Sequence, residues 1–250
     1  MPATVLVERG DGVLTITLNR PAQKNAVNHE VAVELAAALD LLDADPALSV
    51  GVLTGAGGTF CAGMDLKAFA RGELPVLDGR GFGGLTRAPV RKPLIAAVEG
   101  WALGGGFELA LACDLIVAAQ DATFGFPEVK RGLVASEGGL LRLPRHIPYH
   151  VALRVLLTGD PLPAAEAAEH GLLADVTAPG GALEGAHQLA RRVAANAPLA
   201  LGAVKDIVRA DERAAFERQD LIVSTLVASA DAHEGALAFA ERRPPVWHGR

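Results

Sequence analysis

Three consecutive glycines, Gly104-Gly105-Gly106, stand between two short apolar runs, Pro93 to Val98 and Leu115 to Ala119. Each run is short, aliphatic and bounded by turn residues, the pattern of a buried strand. Glycine loses the most backbone freedom on ordering, so three in a row fit a turn where the backbone must come close to something. Phe107 to Ala112 are good helix formers. Gly105 and Gly106 therefore open a helix whose first N–H groups have no partner inside it. That positive end favours an oxygen gaining negative charge. Glu108 lies within the same turn of helix, which points to an oxyanion hole beside a carboxylate. A second acid in apolar sequence, Glu128, follows Phe124-Gly125-Phe126-Pro127.

The rest of the chain predicts an α/β organisation. Val5 to Leu18 reads as a hairpin turning at Asp11-Gly12. Asn28 is placed to cap a helix carrying Val31, Leu35, Leu39 and Leu42, and Val50 to Thr54 reads as a strand. A glycine-rich loop, Gly55 to Asp65, leads to a short helix over 66–70. Pro75 to Pro93 is broken by glycine and proline and is expected to be a mobile loop. Its Gly79-Arg80-Gly81-Phe82-Gly83-Gly84 satisfies a dinucleotide-binding pattern, but no strand leads in and Pro89 follows, so the match is rejected. After Pro144 helices dominate, over 151–157, 164–170, 182–195, 199–210 and 212–230, with a short strand at Val176.

With 250 residues, half of them hydrophobic, the chain can bury a substantial core. The net charge of −6 is spread along the chain without a basic run, which argues against nucleic acid and membrane surfaces. No apolar stretch reaches the length of a membrane span, and the start of the chain lacks the form of a signal peptide. Two cysteines, Cys61 and Cys113, make no disulfide framework and read as buried thiols in a reducing cytoplasm. The histidines show no metal-ligand spacing, so no metal is expected. No G-x-S-x-G is present to support a hydrolase triad.

Several ordered motifs resemble the crotonase, or enoyl-CoA hydratase/isomerase, superfamily. They are Ala96 to Gly100, Ala102 to Ala110 and Phe124 to Glu128, with Leu53 to Leu66 upstream. Leu157 to Asp160, Ala164 to Gly171 and Arg242 to Pro245 lie downstream. The resemblance covers nearly the whole chain. It implies a crotonase-like spiral of ββα units over residues 1–195 and a C-terminal helical region over 196–250 that helps form a trimer or a dimer of trimers. It also implies an enoyl-CoA hydratase, a hydro-lyase of fatty-acid or related acyl-CoA degradation. Glu108 and Glu128 would be catalytic, and the N–H groups of Met64 and Gly105 would hold the thioester oxygen. Lys24, Ala62, Asp65, Leu66, Gly104, Phe126 and Glu137 would meet substrate. No cofactor is expected, because coenzyme A is part of the substrate.

Some roles stay open at this stage. Lys24, Lys67 and Arg71 suit either CoA phosphates or plain solvated surface, and Asp65 reads as a helix cap or positioning residue. Phe126 stands where glutamine is common in the family and is expected to make the pocket wall more apolar. Glu137 is read as a cap for the helix starting at Gly138, or else as a third acid like that of dienoyl-CoA isomerases and carnitinyl-CoA dehydratases. An isomerase or a carnitinyl-CoA dehydratase of the same fold is thus the alternative enzyme. A non-catalytic acyl-CoA-binding module is the alternative from another class.

Overall fold

The structure, a computed structural model, describes residues 3–247. Strands β1 (Val5–Gly10) and β2 (Val13–Leu18) form an antiparallel hairpin registered from Val5 opposite Leu18 to Gly10 opposite Val13. Its two-residue turn, Asp11 and Gly12, takes positive φ at both positions (51° and 75°), the handedness that matches strand twist. Helix α1 (His29–Ala44) then crosses over to β3 (Val50–Gly55). Asn28 starts it by accepting the Val31 N–H at 3.1 Å, and Val31, Leu35, Leu39 and Leu42 line its buried face.

The next elements in chain order are α2 (Leu66–Phe69), β4 (Val76–Leu77), β5 (Gly81–Phe82), β6 (Leu94–Val98), β7 (Trp101–Leu103), α3 (Gly105–Ala112), β8 (Leu115–Ala119) and β9 (Thr123–Gly125). A 3-10 turn (Pro127–Arg131) precedes α4 (Gly139–His146), α5 (Tyr149–Thr158), β10 (Leu162–Pro163), α6 (Ala164–Glu169), β11 (Asp175–Thr177) and α7 (Ala182–Ala194). Three more helices follow, α8 (Pro198–Val208), α9 (Glu212–Val227) and α10 (Ala230–Glu241).

The main sheet has the order β1-β2-β3-β6-β8-β11 and is parallel from β2 onward. Alternate residues feed two cores, as the two-residue strand period requires. Leu14, Ile16, Leu53, Ala96, Val98 and Ile116 face one side, towards α1 and α3. Val13, Val50, Val52, Ile95, Ala97 and Val117 face the other, against Ala182, Ala186 and Ala190 of α7. A second sheet, β10-β9-β7, is bridged to the Gly55–Asp65 loop through Cys61 and Ala102.

Two expectations need correction. The segment 75–93 is packed rather than loose: Phe82, Leu85, Thr86 and Val90 are buried. Its glycines permit close packing, since a Cβ on Gly84 would lie 2.6 Å from the Ala32 carbonyl oxygen. The helix expected over 212–230 is α9 but stops at Val227, and a second helix, α10, follows from Ala230. Ser229 starts the second by accepting the Ala232 N–H at 3.1 Å.

Candidate active site

Gly104 precedes α3 with φ 54° and ψ −128°, a conformation for which glycine is suited, and its N–H donates to the Gly125 carbonyl at 2.9 Å. This joins β7 to β9 and aims the start of α3 at the loop from Cys61. Gly106 must be glycine, because a Cβ there would sit 2.2 Å from the Cys61 carbonyl oxygen. That loop is fixed by backbone pairing. Cys61 exchanges bonds with Trp101 and Leu103, and Val27 with Gly63 and Asp65. The Cys61 thiol donates to the Asn25 carbonyl at 3.1 Å and accepts the Gly63 N–H at 3.4 Å.

Gly63 has φ 94°, and a Cβ on it would lie 3.3 Å from the Gly105 nitrogen. The Met64 loop and the first N–H of α3 are therefore side by side. Neither the Met64 nor the Gly105 N–H has an acceptor among the described residues.

Glu108 is one turn into α3 and only 4% exposed. Its Oε1 accepts the N–H of Glu137 at 2.7 Å and of Gly139 at 3.0 Å. Burial pushes its carboxyl up to about 8, the Glu128 and Glu137 charges push the same way, and the two N–H donors pull against them. Glu128, in the 3-10 turn, is pushed up to about 7, chiefly by burial, against a downward pull from Arg131. Its Oε1 lies 2.9 Å from where a Gly104 Cβ would be, so the carboxyl rests on the glycine turn. Its Oε2 is buried without a partner among the described residues, an arrangement rare enough in proteins to mark a functional position. The fold thus gathers the two acids and the two free N–H donors in one place.

The other residues singled out from the sequence have different placements. Ala62 donates its N–H to the Lys24 carbonyl, and the Lys24 side chain is exposed, as are Lys67 and Arg71. Asp65 caps α2 by accepting the N–H groups of Lys67 and Ala68, and it pairs with Arg20 at 2.8 Å. Burial works to raise its carboxyl, but Arg20 and the N–H groups outweigh it and hold it below the usual range. Leu66, the first residue of α2, is exposed.

Phe126, expected to make the pocket wall more apolar, lies in the core behind Gly139. It is 1% exposed, stacked on Phe107 with ring centroids 4.6 Å apart, and its ring fills the place of any Cβ on Gly139. Glu137 is corrected, since α4 has Gly138 as its cap residue and no side-chain cap. The Glu137 carboxylate instead accepts from the Phe82 N–H, the Thr86 hydroxyl and the Arg87 guanidinium. The backbone clamp on Glu108 escapes sequence reasoning, because its donors lie 29 and 31 positions away and act through main-chain atoms any residue carries. Among the described residues no cluster of His, Cys, Asp and Glu side chains gathers to hold a metal.

Residues 8–250 match the family model described as enoyl-CoA hydratase/isomerase. A carnitinyl-CoA dehydratase of Proteus mirabilis is 41% identical over 98% of both chains. One from Escherichia coli K12 is 41% identical over the full length of both. Among solved structures, an enoyl-CoA hydratase from Mycobacterium tuberculosis H37Rv is 57% identical with a TM-score of 0.82, covering 99% of this chain and 100% of its own. A carnitinyl-CoA hydratase from Mycobacterium avium is 44% identical with a TM-score of 0.94, and both chains are covered in full.

Proposed function

The chain belongs to the enoyl-CoA hydratase/isomerase, or crotonase, family, and on that premise we propose that it adds water reversibly across the double bond of a 2-enoyl-CoA thioester. The observation that carries this reading is the pair of buried carboxyls, Glu108 and Glu128, both shifted towards neutral pH beside two unpartnered N–H groups.

Hydration needs a base for water and an acid for the α-carbon, and two coupled carboxyls in a dry site can share one proton between those roles. In the reactive arrangement the shared proton sits on Glu128 and Glu108 is ionised, held by its two N–H donors, so Glu108 takes a proton from water as the water oxygen bonds to the β-carbon. The π electrons move through the α-carbon onto the thioester oxygen, where the N–H groups of Met64 and Gly105 meet the growing charge. Each such donor is worth about 10²–10³ in rate. Charge then returns to the α-carbon, which takes the proton of Glu128. The reaction needs one acid protonated and the other ionised. Its rate should fall below the lower and above the higher of the pair's two values, about 7 and about 8.

The test is crotonyl-CoA turnover. Glu108→Gln and Glu128→Gln are each expected to lower kcat by about 10²–10⁴ with KM little changed. Wild-type turnover in either variant would sink the assignment.

A second reading, dehydration of carnitinyl-CoA, follows from the names of the 41%-identical relatives. It runs the same bond changes backwards on a substrate with a trimethylammonium end. That end calls for an aromatic or anionic partner, whereas Glu137, whose charge Glu108 feels, is already committed to Arg87. This favours an uncharged acyl chain, and faster turnover of crotonobetainyl-CoA than of crotonyl-CoA would reverse the preference. Exposed Lys24, Lys67 and Arg71 are the proposed contacts for CoA phosphates. A trimer or dimer of trimers is supported by the aliphatic side chains that α8 and α9 present to solvent, Leu199, Ile207, Leu221 and Ile222 among them. A reducing, cytoplasmic setting suits the two unpaired cysteines.

A further inference from the structure

Glu137 touches both halves of the site without lying between them, and we propose that it is a positioning residue that holds Glu108 and the Gly105 N–H in register. The inference rests on the roles given above to Glu108 and Gly105. From its main chain, Glu137 donates to Glu108 Oε1 at 2.7 Å. From its side chain, Oε2 accepts the Phe82 N–H at 3.0 Å, the Thr86 hydroxyl at 3.0 Å and Arg87 Nε at 3.2 Å. Oε1 accepts Arg87 Nη2 at 3.1 Å.

Phe82 carries the second half of the linkage. Its ring is packed on the α-carbon of Gly105, where a Cβ would come within 2.5 Å of ring carbons. One residue therefore fixes the acid through its N–H and the wall behind the oxyanion donor through its carboxylate. Arg87 is itself held from the far side by Asp220 of α9 at 2.7 and 2.9 Å, so the anchor does not drift. With five hydrogen bonds already drawn on its N–H and carboxylate, Glu137 is spoken for as a scaffold rather than as a third proton donor.

Glu137→Ala deletes the carboxylate and leaves the N–H to Glu108 in place. On crotonyl-CoA it is expected to lower kcat by about 10²-fold with KM changed less than about threefold, the scale of a small misplacement of reacting groups. Glu137→Gln keeps an acceptor oxygen for Phe82 and Thr86 and should lose only about tenfold, because the ion pair alone is gone. Equal losses in the two variants would make the charge the agent, as for an acid acting on substrate, and would overturn the positioning role. So would wild-type rates in both, or a raised KM with kcat intact. Where Glu137→Ala does not fold, Thr86→Val decides: a kcat drop of about threefold supports the linkage and none overturns it.

A second measurement separates this inference from the proposed reaction. The infrared carbonyl stretch of [1-13C]butyryl-CoA reads the oxyanion donors without turnover. Binding to wild type should lower it, and binding to Glu137→Ala should lower it distinctly less. A wild type that lowers the stretch yet hydrates no enoyl-CoA sinks the proposed reaction alone. An unchanged stretch in Glu137→Ala, or no lowering even in wild type, overturns the positioning role.

Discussion

Helices α3 and α8 bury ionisable groups by opposite means. Helix α3 buries all eight of its residues, and the one acid among them, Glu108, has no counter-ion among the described residues; it is accommodated by a proton and two N–H donors. Helix α8 buries Lys205 but leaves Leu199 at 92% and Ile207 at 77% exposed. Lys205 is partnered by its opposite charge, Asp114 at 2.8 Å, and by the Lys92 carbonyl at 2.9 Å. A buried charge met by its opposite is a tether and says little about function. A buried acid left to change its protonation is poised for chemistry. The helix that looks inside out is fastened by its charge and offers its aliphatic face outward.

The largest expected effect falls on a glycine of α3. Gly106→Ala forces a methyl to within 2.2 Å of the Cys61 carbonyl oxygen, where backbone must move. It should cost about 3 kcal/mol or more and lower Tm by about 6 °C or more. A melt unchanged from wild type would show that α3 is not close-packed on that loop.

Next comes the pH dependence of stability. The native state keeps the Glu108 proton up to about 8, whereas a free carboxyl releases it near 4.5. Between those values the folded chain binds more protons than the unfolded one, so stability falls as pH rises. Glu108→Gln should remove that slope. Its denaturant midpoint would match wild type below about pH 4.5 and exceed it by on the order of 3 kcal/mol at pH 8. Parallel curves would mean the burial of Glu108 costs nothing.

On α8, Lys205→Met should cost about 1–2 kcal/mol, at the low end for a broken buried pair because Arg209 still reaches Asp114 at 3.3 Å. Urea unfolding measures it, and a stabilised variant would mean the pair is no tether. The smallest effect has the opposite sign. Gly202→Ala meets nothing nearer than the Arg91 carbonyl oxygen at 3.9 Å and should stabilise by about 0.5–1 kcal/mol. A loss at that site would mean a surface covers α8 there.

Much of the first helix and its neighbours was legible because local signals agreed. Aliphatic runs marked β2, β3, β6 and β8, Asn28 marked a helix start, and the glycine triplet marked the turn into α3. Strands β9 and β10, only three and two residues long, are too short to carry such a signal. The 75–93 segment is not legible, because glycine signals looseness in isolation, whereas Gly83 and Gly84 serve contact with Leu109 and Ala32. For the site, the acids and N–H donors were nameable from motifs. The partners of Glu137 were not, since Phe82, Thr86 and Arg87 lie at least 50 positions away. Its side chain, read alone, looked like a local cap.

The loop beside Met64 also has a consequence for chemical labelling. Cys61 beneath it and Cys113 at the end of α3 are buried and pushed up to about 12. At neutral pH only about one in 10⁵ of such thiols is thiolate, the form that attacks a maleimide. A cysteine installed at exposed Val33 would react far ahead of both, so a fluorophore could be set on the outward face of α1 with the native sulfurs left in place.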